Sequence, residues 1–206
     1  MTTPDDRPVM SPDDVLDYWF GDGDPNAAES MRFSLWFGAG DQLDEDIRRR
    51  FLPVIELAGL GRLDGWKATA RGRLAWTILL DQFTRNAFRG TARMFVFDLI
   101  ALASTREAIA AGQDRELPPI QRAFLYLPLE HSEEAAAQRE SVAAFRALLD
   151  DDAPAIRGTL ESMLDYAVRH ARVIERFGRY PHRNELLCRR STEEELAFLA
   201  SPEAPF

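Results

Sequence analysis

The chain has 206 residues, 46% of them hydrophobic and 29% charged, with a net charge of −9 and a pI near 4.9. That length and apolar content suffice for a buried core and exclude an intrinsically disordered chain. The acidic balance argues against nonspecific nucleic-acid binding, which needs a net basic face to neutralise phosphates.

The first ten residues read as a flexible tail, with one domain over residues 11–206. "SPDDVLDYWFG" opens a helix: Ser11 suits the N-cap, Pro12 the first helical position, and Asp13 and Asp14 the positive end of the dipole. "AESMRFSLWFG" reads as a short helix closed by Gly38. "DQLDEDIRRRFLPVIELAGLG" follows, with Leu43, Ile47, Phe51, Ile55 and Leu57 near helical spacing and Pro53 expected to kink or interrupt it. "ARGRLAWTILLDQFTRNAFRG" has no wet face in its middle, the pattern of a buried helix. "MFVFDLIALASTREAIAAG" is a helix stopped by Gly112. "LPPIQRAFLYLPLEHSEEAAAQRESVAAFRALLDDD" holds two helical patterns, with Pro128 expected at their join.

"AIRGTLESMLDYAVRHARVIERFG" is the last long helix, with Gly178 as its left-handed cap. "STEEELAFLA" is a short terminal helix capped by Ser191 or Thr192. No stretch alternates like a strand, and no clean internal repeat is visible. The chain therefore reads as all-α, about eight helices in one domain. Trp19, Trp36, Trp66 and Trp76 read as core residues.

Three polar blocks break the pattern of apolar inside and charged outside. In "DQFTRNAFRG", Asp81, Arg85 and Arg89 are spaced to share one helix face. In "LPLEHSEEAAAQ", Glu130, His131, Ser132, Glu133 and Glu134 are expected at a helix start, Ser132 as an N-cap and the glutamates answering the dipole. In the third block, Met163, Ala167, His170, Ile174 and Phe177 form one stripe, so His170 sits on an apolar face, most often the place of a satisfied core histidine. Arg179, His182, Arg183 and Asn184 follow in the turn after Gly178. Every histidine of the chain lies in the last two blocks.

These blocks carry a resemblance. "LLDQFTRNAFRGTAR", "FLYLPLEHSE" and "HARVIERFGRYPHRN", with "VLDYWFG", "WFGAGDQLDEDIRRRF" and "STEEELAFL", resemble the signature blocks of the bacterial DUF924 family over roughly residues 11–200. Thr84 stands where the family has proline, a difference expected to touch the local helix geometry, and Tyr180 stands where phenylalanine is common. The resemblance implies a tetratricopeptide-like helical array and no particular biochemical role. It places Asp81, Gln82, Arg85, Asn86, Arg89, His131, Ser132 and Glu133 in family motifs, together with His170, Arg176, Gly178, Arg179, His182, Arg183 and Asn184.

Three readings stay open. In the first, the blocks converge on a small-molecule pocket: Arg85, Asn86, Arg89, His170, Arg179, Arg183 and Asn184 bind an anionic group, and His131 or His182 acts as acid or base, oriented by Glu133 or Asp81. This requires the blocks to lie within about 15 Å of one another. In the second, a concave groove binds a peptide or protein. In the third, the blocks are a buried polar network that fixes helix packing.

No HxxxH or HExxH pair points to a metal, and no Gly-rich loop in a strand context points to a phosphate cofactor, so neither is expected. Cys188, the only cysteine, permits no intrachain disulfide, fits a reducing cytoplasm and reads as a small packing residue. The acidic N-terminus lacks the apolar stretch of a signal peptide, and no run of about 18 apolar residues offers a membrane span.

Overall fold

In the computed structural model, residues 10–38, 40–151, 153–202 and 204 are described. The expected N-terminal tail lies outside them except for Met10, which packs against the core. The described residues form helices and turns, with no strand among them. Eight helices have seven residues or more: α1 (Pro12–Phe20), α3 (Asp41–Gly59), α4 (Ala70–Thr77), α6 (Asp98–Ala111), α7 (Pro119–His131), α8 (Ala135–Ala147), α9 (Arg157–Phe177) and α10 (Glu193–Leu199). Two are single turns, α2 (Phe33–Trp36) and α5 (Thr84–Ala87), and a π-helical turn, Ile78–Phe83, joins α4 to α5. Among the described residues no helix is long and apolar enough to cross a membrane.

From Gly72 to Ala87 the α4–π–α5 rod is buried, with Arg85 alone partly exposed, and α1, α3, α6 and α7 pack around it. Trp19, Phe51, Phe83 and Phe124 meet there in edge-to-face and tilted contacts, each worth roughly 0.5–1.5 kcal/mol beyond burial. On one side α7, α8 and α9 pack in succession, and α7 also touches α9. A smaller core of Val173, Ile174, Tyr180 and Phe198 docks α10 onto the end of α9.

The caps follow from the sequence. Ser11 and Asp14 form a reciprocal capping box, as do Thr192 and Glu195, so Thr192 rather than Ser191 caps α10. Gly112 and Gly178 adopt the left-handed conformation that ends α6 and α9.

The prolines correct the sequence reading. Pro53 does not interrupt α3, which is continuous around it. Pro128 does not separate two helices either: α7 runs on to His131. Thr105 of α6 donates its hydroxyl to the Leu125 carbonyl, holding this part of α7 against α6. Glu130 and His131 therefore end a helix instead of starting one. Ser132 is no helix N-cap; its hydroxyl accepts the Glu134 N–H in the turn before α8. Cys188 is exposed, with φ 54°, so it is not a packing residue.

Gly178→Ala is expected to lower stability by about 1 kcal/mol, because a Cβ at φ 68° is strained although space is open around it. Gly158→Ala, at an exposed helical position of ordinary φ, is expected to be neutral or mildly stabilising. Urea denaturation of the two variants measures the difference.

Candidate functional site

The rod places an acid where none belongs by hydropathy. Asp81 lies in the π turn, fully buried. Such turns put one extra residue into the helix and are frequent at functional sites. Thr84 donates its hydroxyl to the Leu80 carbonyl at 2.7 Å, a bond that a proline at this position has no hydroxyl to make.

Asp81 is met from three directions. The Gln82 amide donates to it at 2.6 Å, the Arg85 guanidinium lies 3.6 Å away, and His131 Nδ1 lies 2.7 Å away. Burial opposes its charge, but His131, Arg85 and these hydrogen bonds hold its pKa down at about 2. An ionised carboxylate only accepts, so His131 Nδ1 carries the proton and Nε2 holds the lone pair. Burial, then Arg85, push the His131 pKa below its ordinary value against the pull of Asp81, so at neutral pH the ring is an oriented, uncharged base.

Its chain neighbour Glu130 behaves in the opposite sense. Burial, reinforced by the Asp81 charge, raises Glu130 to about 8, so it remains a protonated acid at neutral pH. His170 Nδ1 lies 3.5 Å from Glu130 Oε1 and donates to the Tyr166 carbonyl at 2.9 Å. Burial lowers His170 to about 4.

Three arginines are anchored by carboxylates. Arg85 grips Asp98 through both Nη atoms at 3.1 and 3.3 Å. Arg183 reaches the same carboxylate at 3.4 Å, its guanidinium lying over the Phe95 and Tyr180 rings. Burial and the Arg85 charge bring Arg183 down to about 10, which still leaves it cationic at neutral pH. Arg89 engages Asp44 through Nε and Nη2, and Asn86 donates to the same carboxylate at 2.9 Å. Of the expected ladder of Asp81, Arg85 and Arg89, the Asp81–Arg85 pair is present at 3.6 Å and Arg89 leaves it. Asp81 turns to His131, Arg85 chiefly to Asp98, and Arg89, which lies beyond the end of α5, to Asp44.

A cleft of about 590 Å³ opens onto these groups, within the range of small-molecule sites. Its polar lining includes Gln82, Arg85, Asn86, Arg89, Glu130 and His131, with His170 beside them. Phe33, Trp36 and Phe37 come from α2 and its end, and Thr159, Ser162, Met163 and Tyr166 from α9.

The family model described as a bacterial protein of unknown function, DUF924, matches residues 15–203. The chain belongs to the DUF924 family. A solved structure, the protein of unknown function ATU0120 from Agrobacterium tumefaciens, is similar at 34% identity and a TM-score of 0.78 over 92% of this chain and 96% of that one. Nothing matches among curated proteins.

In this DUF924 protein the polar blocks meet, but not every member faces the cleft. Arg85, Asn86, Arg89, His131 and His170 line it. Asp81 and Arg183 lie outside the lining, Asp81 against His131 and Arg183 against Asp98. His182 packs against Tyr180, and burial with the Arg183 charge lowers it to about 3.

Glu133, Arg179 and Asn184 do not line the cleft. Glu133 forms a two-bond pair with Arg189 at 2.6 and 2.9 Å and accepts the Tyr180 N–H. Arg179 pairs with Glu195 at 2.7 and 2.9 Å, and Asn184 donates to Ser191 and Glu195. Among the described residues no three of His, Cys, Asp and Glu are placed to hold a metal.

Sequence reasoning missed Asp44, Asp98 and the aromatic wall. A signal existed for the acids: Asp44 continues the buried stripe of Ile47, Phe51 and Ile55, and Asp98 that of Ala101, Leu102 and Thr105. A charged residue at the head of an apolar stripe is the same anomaly that marked His170.

Between the ordinary carboxylate range and about pH 8 the unfolded chain has released the Glu130 proton while the folded chain keeps it, so this group makes stability fall as pH rises. Glu130→Gln removes that slope. Relative to wild type, the variant is expected to gain stability steadily from pH 5 to 8 and to level off above, as read from denaturant unfolding at each pH. The depressed histidines act in the opposite sense: wild-type stability is lost as pH falls from 6.5 toward about 4.

Proposed function

We propose that the cleft binds a small organic anion and carries out proton-transfer chemistry on it, with His131 as base and Glu130 as acid. One observation carries the reading: a neutral histidine oriented by a buried aspartate and a protonated glutamate line the same cleft as adjacent residues. Groups whose environments push their pKa values apart are what acid–base pairs require. His131 takes a proton from the bound molecule at Nε2, Glu130 returns one to another of its atoms, and solvent restores both groups.

The electrostatics support an anion. The lining contains Arg85 and Arg89, while the one carboxyl among its described residues, Glu130, is uncharged at neutral pH. The balancing carboxylates Asp44, Asp81 and Asp98 stand behind the guanidiniums. Arg89 is the freer of the two. Its bonds to Asp44 use Nε and Nη2, its side chain is 42% exposed, and Nη1 is the edge available to a ligand. Asp98 and the Met94 carbonyl hold Arg85 more fully, so it contributes mainly charge.

A tetratricopeptide-like groove for a peptide draws less support, because the polar groups converge on buried titratable side chains and not on an open concave face. A purely structural network accounts for Glu133, Arg179 and Asn184, whose partners lie outside the cleft lining. It does not account for a protonated acid beside a neutral base at a solvent-open cleft.

The test is a thermal-shift screen of small carboxylates and phosphate esters against wild type, Arg89→Ala and Arg179→Ala. A ligand at a hundred times its dissociation constant raises stability by about 2.7 kcal/mol. The stabilisation is expected to disappear in Arg89→Ala and to persist in Arg179→Ala. Equal loss in both folded variants, or no stabilisation by any anion, contradicts the reading.

A further inference from the structure

The exposed aromatic rings are not scattered. Phe33, Phe37 and Tyr166 are the exposed large aromatics among the described residues, at 48%, 58% and 46%. All three line the one cleft that holds Glu130 and His131. The other exposed large hydrophobics, Leu99 and Leu60 among them, are aliphatic and line no part of it. Scattered exposed aliphatics need no explanation; three exposed aromatics gathered at a polar cleft do.

The wall they build is flat-faced. Phe37 stacks on Phe33 at 6.4 Å with the planes 27° apart, and on the buried Phe124 at 6.5 Å with the planes 20° apart. Trp36 meets Phe33 and Phe124 edge to face. The outer rings, Phe33 and Phe37, keep about half their surface open, as a stack does when another ring can lie against it. Tyr166, from α9, adds a third exposed ring to the lining of the same cleft. The opposite chemistry, two guanidiniums with no ionised carboxylate among the described lining residues, occupies the same 590 Å³.

We infer that the ligand of this cleft is an aryl-bearing organic anion, its ring lying against Phe33, Phe37 and Tyr166 and its charged group at Arg89 near Glu130 and His131. The inference rests on the reading of the cleft as an anion site and adds the body that the anion must carry. Aromatic walls recognise flat apolar bodies of many kinds, so the ring is specified by class and the headgroup by charge.

Calorimetric titration with a matched set of probes tests it: indole-3-acetate and phenyl phosphate as aryl anions, acetate and inorganic phosphate as heads alone, and indole-3-ethanol as an uncharged aryl body. Both aryl anions are expected to bind at least about tenfold more tightly than their heads and than the alcohol. Phe37→Ala and Tyr166→Ala remove exposed side chains, so the fold is expected to persist. Each is expected to weaken the aryl anions by about tenfold while leaving the heads unchanged.

If the heads bind as tightly as the aryl anions, the aryl inference fails and the anion cleft stands. If the alcohol binds as well as the anions, or neither variant weakens them, the ligand assignment fails as well. If none of the five probes binds, the anion reading of the cleft is overturned and this inference with it.

Discussion

Asp81 keeps a full negative charge in the interior, and much of the surrounding polar structure answers it. A buried carboxylate is tolerated only when hydrogen bonds and opposite charge replace its water. Gln82 and Arg85 come from its own rod, but His131 must be brought from α7. That requires α7 to continue past Pro128 by a further turn. Arg85 in turn needs Asp98, and Asp98 is shared with Arg183 of the C-terminal turn. One charge on a π-helical turn thus ties together α5, α6, α7 and the segment after α9. The same charge orients His131, which burial and Arg85 keep neutral against its pull, and it reinforces the burial that keeps the neighbouring Glu130 protonated.

The basic C-terminal stretch divides into two roles. Tyr180 is completely buried; its hydroxyl donates to the Glu130 carbonyl and accepts from Gln138, while its N–H is held by Glu133. It therefore fixes the end of α7 on which Glu130 and His131 sit. Arg183 and His182 turn inward behind the cleft. Arg179, Arg189 and Asn184 turn to Glu195, Glu133 and Ser191 and close the small core under α10. So dense a set of side-chain donors in one turn serves two neighbouring jobs, docking the last helix and bracing the acid–base pair.

Much of this was legible in the sequence. The all-α class, the caps at Ser11, Gly112 and Gly178 and the buried rod all follow from local pattern, because each depends on neighbours within a few residues. His170 on its apolar stripe was legible for the same reason. What was not legible depends on distant partners. Pro128 reads as a helix end, because proline removes a hydrogen bond and clashes locally; tertiary packing on α6 overrides that preference. Glu130 reads as an ordinary helix-start glutamate, since its protonation comes from burial and from Asp81, 49 positions earlier. Arg179 and Arg183 look equivalent four residues apart, yet the glycine cap and the following 3₁₀ turn send one outward and the other inward. The mixed character of Phe33 and Phe37, half exposed against the buried Trp36, depends also on Phe124 of α7, which Phe37 stacks upon from 87 positions away.

The protonation and tautomer of His131 can be read directly from long-range ¹H–¹⁵N correlation spectra of the imidazoles across pH 4–9, with Asp81→Asn as the comparison. A neutral His131 ring at pH 7 with its proton on Nδ1, shifting to a mixed or opposite tautomer in Asp81→Asn, is the result expected of a base oriented by a buried carboxylate. An imidazolium at pH 7, or a neutral ring protonated at Nε2, would make Asp81 and His131 an ordinary ion pair or a packing contact and contradict the acid–base assignment.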